Sequence, residues 1–276
     1  MFLSDFWSLL CCSNAVSAAV TDRSINFDNP PIHEVALGQT FLHRPDFLIP
    51  YYGEFWSLIR DHFPLAEQAP PILEQVAGPT EMPLPRVWFL SNDKTWLVQL
   101  QQDRFHLNWR RVGEGNDTGV YVRFPVIQER HLALWSELSR FVENKTGQPL
   151  QRVNSELTYT NLIVLPGVAT AFEIAEATLA NMPWPRVSIL PPPKGFSIIF
   201  GFDLHDGADL LQVTAVAVRR PDSDTEFVRL DLTVKSKGAS SLPFDAWSSN
   251  AHDALVRTFK ELTNPSMHEI WQLKEH

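Results

Sequence analysis

Cysteine is nearly absent from this 276-residue chain: two occur, side by side at Cys11 and Cys12. That excludes a disulfide framework, a CxxC zinc site and a cysteine nucleophile inside a folded repeat. Sparse cysteine also fits a reducing cytoplasm, which is the expected location. No apolar run approaches the roughly 20 residues needed to cross a bilayer. No GxSxG, GKS, GKT or GxGxxG precedes a helical pattern, so the acyl-transfer, nucleoside-triphosphate and dinucleotide signatures are missing. Positive charge is short as well. Lys and Arg total 23 against 32 Asp and Glu, for a net charge of −9. A clustered cationic surface is what nucleic acid and anionic membranes require, so neither is expected as a general partner.

Residues 1–25 contain an apolar stretch, Phe6–Val20, that loosely resembles a secretory signal. No Lys or Arg precedes it, and Asp5 stands where a signal needs positive charge. Residues 1–26 are therefore expected to be a poorly ordered N-terminal extension, or to follow a start codon placed too far upstream.

What is present is apolar and aromatic. A hydrophobic content of 44% and nine Trp belong to a globular chain. The pattern reads as one element series written twice. Strand His33–Phe41 alternates Val35, Leu37 and Phe41 with polar or small residues. Pro50 opens a helix with Tyr52, Phe55, Trp56, Ile59 and Phe63 on one stripe, which Pro64 stops. The proline-rich stretch 64–86 predicts an extended loop. Strands follow at Arg86–Ser91, Thr95–Gln101 and Phe105–Arg111, then a flexible loop at Gly113–Gly119 and a short strand at Tyr121–Phe124. A long helix opens at Pro125. The second copy has strand Glu156–Leu165, helix Ala171–Asn181, prolines at 183, 185 and 191–193, and strands Phe196–Leu204, Leu210–Arg219 and Glu226–Lys235. A helix capped by Ser248 to Asn250 closes it, and Asn264-Pro265 starts a short terminal helix. The predicted fold class is α+β: antiparallel sheet with helices on one face, in two pseudo-equivalent β-α-β-β-β-α halves. They cover residues 27–148 and 149–276 and share one compact unit.

Several segments carry a resemblance: NPPIHEVALG, GEFWSLIRDHFP, RVWFLS followed by LVQLQQDRFHLNWRR, ELTYTN and AHDALVRTFKELT. Together they resemble a sporadically distributed family of prokaryotic proteins of about this length. The resemblance spans roughly residues 27–271 and is most specific over Gln99–Arg111. It implies a prokaryotic source and a compact single unit. The family's patchy distribution is like that of mobile defence or toxin–antitoxin genes. It brings no activity and no catalytic residues.

The sharpest chemistry lies in the same stretch. With Trp96, Val98, Leu100, Phe105, Leu107 and Trp109 turned to the helices, Gln99, Gln101, Arg104, His106, Asn108 and Arg110 share the open sheet face. Their planar amide and guanidinium heads suit carboxylate, phosphate or base recognition. Cross-strand pairing among themselves is the plainer alternative. Glu34 and Glu156 occupy matching places in the two first strands, either as an acid–base pair or as ion-pair partners of neighbouring Arg. His252-Asp253 and His268-Glu269 lack metal-ligand spacing, and Asp203, His205, Asp206 and Asp209 read as a solvated turn. No metal or cofactor is expected. The leading reading is a non-catalytic recognition module that binds a protein or small ligand on the open sheet face. The rival is a hydrolase or nuclease-like effector using Arg104, His106 and Arg110 with Glu34 or Glu156. Strand Leu210–Arg219, weakly polar on both faces, leaves monomer and homodimer open; its cover would come from Trp184 and nearby prolines or from another subunit around Val216.

Overall fold

The computed structural model describes residues 25–72, 84–113, 119–165, 167, 170–180, 189–191, 193–219 and 225–275. Expectations about the N-terminal 24 residues, the tip of the Gly113–Gly119 loop, Trp184 and the turn at 221–224 lie outside them.

Among the described residues, five α-helices and eleven strands form an α+β, antiparallel fold. In chain order the strands are β1 (Ile25–Phe27), β2 (Ile32–Phe41), β3 (Leu65–Ala69), β4 (Arg86–Leu90), β5 (Trp96–Gln101), β6 (Arg104–Arg110), β7 (Arg152–Ile163), β8 (Ser197–Leu204), β9 (Asp209–Arg219), β10 (Glu226–Ser236) and β11 (Leu273–Glu275). The helices are α1 (Ile49–Ile59), α2 (Phe124–Thr146), α3 (Ala171–Thr178), α4 (Phe244–Leu262) and α5 (Pro265–Ile270).

Nine strands make one sheet in the order β3-β4-β5-β6-β2-β7-β10-β9-β8. Outward from the β2–β7 seam the order runs β2-β6-β5-β4 on one side and β7-β10-β9-β8 on the other. Each side is thus a first strand followed by its meander in reverse. The seam pairs Glu34 with Thr160, Ala36 with Thr158 and Gly38 with Glu156. Glu34 and Glu156 therefore lie equidistant from the Ala36–Thr158 pair. Alternation does the sorting of faces. Val35, Leu37, Val98, Phe105, Leu107, Leu157, Val213, Leu230 and Leu232 point to the helices and are fully buried. The apolar stripes of α1 (Tyr52, Phe55, Ile59) and α2 (Ile127, Leu138, Phe141) close that core.

Four local expectations need correction. Leu65–Ala69 is an edge strand paired with β4 rather than loop; it lies between Pro64 and Pro70, and nothing in it blocks a ladder. Residues 121–123 form no strand, and Tyr121 is instead buried with its hydroxyl 3.2 Å from that of Tyr159. Helix α4 starts at Phe244, with Pro243 as its cap residue, so Ser248 and Ser249 bond Asp245 from inside the first turns. The expected extension, residues 1–26, overlaps β1, which pairs with β11 beside α4. Other boundaries shift by a few residues. Pro50 and Pro125 do sit in the first turns of α1 and α2, and left-handed Gly147 (φ 72°) ends α2.

Candidate functional site

The residues singled out around Gln99–Arg111 share one sheet face, opposite the helices, and one transverse row crosses it. Register places Trp88 beside Gln99, Gln99 beside His106, His106 beside Gly38, Gly38 beside Glu156, and Glu156 beside Lys235. Six strands thus contribute one residue each. Gly38 is the void in the row. A Cβ there would come within 2.1 Å of the His106 ring, so the imidazole lies flat across the β2 backbone. Only glycine permits that approach.

The sheet face expected to be open is largely covered. Arg104, Asn108, Gln101 and His106 are all buried, while Gln99, Arg110, Glu34 and Glu156 are half-buried. Part of the reason is visible at Ile72, where the chain crosses this face. Its N–H donates to Gln101 Oε1 at 2.9 Å, and its carbonyl accepts from Gln101 Nε2 at 3.0 Å.

Cross-strand bonds use up several of the candidates. Arg86 Nη1 donates to Gln99 Oε1 (2.8 Å), Gln99 Nε2 to Asn108 Oδ1 (2.8 Å) and Asn108 Nδ2 to Glu34 Oε1 (2.5 Å). This chain of polar side chains links β4, β5, β6 and β2. Arg104 forms a two-pronged pair with Asp103, at 3.1 Å on each prong. Arg110 reaches the Lys94 carbonyl at the far end of β6, and Lys235 lies 3.9 Å from Glu156. Glu34 pairs in register with Arg110 and Glu156 with Gly38. The two carboxylates are therefore four residues apart along the seam, about 13 Å at strand rise. That is too far to share a proton, and it removes the geometric basis for an acid–base pair.

Arg86, Arg104 and Lys235 lie around the row, with Arg104 paired to Asp103 and Lys235 beside Glu156. Burial pushes the His106 pKa down; Glu156 opposes this, while Arg104, Arg86 and Lys235 reinforce it. Burial also lowers the Arg86 pKa, with the Arg104 charge adding to it. Two buried donors within this cluster, Arg86 Nε and Trp88 Nε1, meet no acceptor among the described residues. The Arg86 guanidinium stands 5.3 Å from the Trp88 ring centre. Arg86, Trp88 and Lys235 were not among the residues expected from sequence. The signal for the first two was present in RVWFL, where period-two alternation puts Arg86 and Trp88 on the Gln99 side.

Other clusters are accounted for by packing. His252 lies within α4, away from its start, stacked on Phe124 at 4.4 Å with Nδ1 2.8 Å from the Tyr159 hydroxyl. Burial lowers its pKa to about 4. His268 Nε2 meets Thr263 Oγ1 at 3.0 Å. A cleft of about 390 Å3 between α1 and α2 has its charges paired with one another, Lys145 with Glu54 and Arg140 with Glu137. Among the described residues, no three His, Cys, Asp or Glu side chains converge as a metal site, and no helix is long and apolar enough to cross a membrane. No protein-family model matches the chain, and no curated protein matches it.

Proposed function

We propose that this chain is a non-catalytic recognition protein whose ligand presents an anionic, acceptor-rich group, a carboxylate or a phosphate, to Arg86, Trp88 and His106. The observation that carries the reading is the pair of buried donors that meet no acceptor among the described residues, Arg86 Nε and Trp88 Nε1, within a cluster that also holds Arg104, His106 and Lys235. A buried donor without a partner costs roughly 1–3 kcal/mol, which a ligand's oxygens would recover. The Arg86 guanidinium, whose charged form burial and the Arg104 charge both disfavour, gains further from an anion beside it. The ligand would be carried by a protein partner or be a small molecule, in the cytoplasm. The mirrored strand order about the β2–β7 seam supports treating the two halves as repeats of one unit, of which the first half, with Lys235 of the second, bears the site. The hydrolase or nuclease reading keeps only Glu156 in the His106 row, since Glu34 is bonded to Asn108 and Arg110 lies four residues along β6 from His106.

The test is thermal unfolding against a panel of mono-, di- and tricarboxylates, inorganic phosphate and phosphate esters. A ligand present at 100 times its dissociation constant raises stability by about 2.7 kcal/mol. At least one probe should raise the midpoint of the wild-type protein. The rise should shrink in Trp88→Phe, which removes the indole N–H together with part of the ring. A panel that leaves the wild-type midpoint unmoved, or a rise that Trp88→Phe retains in full, would overturn the reading.

A further inference from the structure

The nine-stranded sheet has two edges, and they are built differently. β3 is five residues long and carries Glu67 and Gln68, both exposed. β8 is eight residues, Ser-Ile-Ile-Phe-Gly-Phe-Asp-Leu, with no Lys, no Pro and no bulge in its pairing with β9. Lys, Pro and bulges are three of the devices by which native edges refuse a new strand, and the charge that β8 does carry, Asp203, is paired with Lys237. Ile199 is 64% exposed and Phe202 47% exposed. Ser197, Gly201 and Asp203 are exposed as well. Among the described residues, nothing pairs alongside β8 on its outer side.

The backbone phase of that edge is fixed. The Ala217 N–H donates to the Phe196 carbonyl at 3.0 Å, so the Phe196–Ala217 position is a hydrogen-bonded pair with β9. By alternation, Ile198, Phe200 and Phe202 spend their N–H and C=O groups on β9. Ser197, Ile199, Gly201 and Asp203 turn theirs outward. We infer that this outward edge joins two copies of the chain, β8 to β8, antiparallel about a twofold axis at Phe200.

That register is self-complementary. Ile199 meets Gly201 of the other copy, large against absent side chain. Ser197 meets Asp203, a hydroxyl donor against a carboxylate. On the helix side, Ile198 meets Phe202 and covers it, and Phe200 meets its own copy across the axis. All four outward residues of each strand exchange their backbone bonds, because the pairs Ile199–Gly201 and Ser197–Asp203 fall at hydrogen-bonded positions. A twofold contact closes on itself, whereas β8 against β3 of the next molecule would propagate into a filament. The charged, shorter β3 edge opposes that alternative. The occupant of the β8 edge is therefore a second copy, and the pairing continues one antiparallel sheet through both.

Sedimentation equilibrium of the full chain from 1 to 100 µM tests this. The wild type should approach twice the chain mass within that range. Ile199→Lys places a charge on an already exposed side chain. Gly201→Pro removes one outward N–H without touching a bond to β9. Each variant should remain monomeric across the range, with unchanged circular dichroism. Leu65→Lys, on the other edge, should dimerise like the wild type. A wild type that stays monomeric at 100 µM, or a dimer that survives whichever of the two β8 variants keeps a native spectrum, overturns the inference. So does an open-ended assembly that Leu65→Lys disperses.

Discussion

Gly38 and His106 show how one missing side chain organises a polar row. The imidazole occupies the place where a Cβ at position 38 would be, with Cδ2 only 2.1 Å from it. Gly38→Ala must therefore push a buried ring out of the row. Overpacking of this kind typically costs about 1–3 kcal/mol. Denaturant unfolding should show a loss of that size, and His106→Ala in the same chain should restore most of it. A second histidine makes a pH prediction. His131 is fully buried on α2, both ring nitrogens lack partners among the described residues, and Phe244 stacks on it at 4.7 Å. Burial, with His106 as the lesser cause, lowers its pKa from 6.5 to about 3. The folded protein thus keeps His131 neutral while the unfolded chain takes up a proton below pH 6.5. Stability contributed by this group is complete above pH 6.5 and falls as pH drops toward about 3, by at most about 1.4 kcal/mol per unit. His131→Leu removes the unpartnered nitrogens and this slope together. Its unfolding midpoint, relative to wild type, should be higher at pH 5 than at pH 8; an equal difference at both would contradict the assignment.

At the scale of elements, the β8–β9 hairpin is anchored to the helix layer through one buried carboxylate. Asp209 Oδ1 accepts from Trp247 Nε1 of α4 at 3.0 Å, and Oδ2 lies 2.7 Å from His205 Nδ1. The turn between, His205-Asp206-Gly207, has three successive positive φ angles of 50°, 56° and 87°. Trp247→Phe keeps a smaller aromatic ring and deprives Asp209 of a buried partner, so a cost of at least roughly 1–3 kcal/mol is expected from chemical unfolding. Asp209→Asn in that background should recover part of it, since a neutral amide is cheaper to bury. Most elements were legible in the sequence because their periodicity was strong: the stripes of α1 and α2 and the three-strand runs of both halves lie close to where spacing puts them. β3 was not, because its side chains are mostly exposed and the prolines beyond it dominated the stretch. The start of α4 was missed for a related reason. Proline at the cap left no Ser or Asn signal, while the serines inside the helix offered a false one.

At the scale of the molecule, the seam between β2 and β7 makes two half-sheets into one. Each half places its first strand at the centre, so Leu37 and Leu157 pair across the seam with both buried. Neither half can hide that surface alone, and small units bury too little to compensate. A single cooperative transition is expected, with fluorescence and circular dichroism coincident. A fragment of residues 25–148 should be unfolded in isolation; a native-like spectrum for it would separate the halves. The face of the sheet that carries the candidate residues was legible from alternation alone. Its burial was not, since alternation reports which side a residue takes and nothing of what crosses that side, as Ile72 does over Gln101. The contribution of Lys235 was equally hidden, because it depends on a register set 129 positions away from His106.

The proposed ligand would meet the Trp88 indole N–H, which bonds no acceptor among the described residues. Nitrogen-15 labelling of tryptophan gives each of the nine Trp side chains its own indole resonance, and Trp88→Phe identifies the one in question. Titration with the carboxylate or phosphate that raises the unfolding midpoint should move the Trp88 signal downfield, with Trp247 unmoved because its N–H already meets Asp209. A Trp88 resonance that stays fixed while the ligand binds would contradict the site.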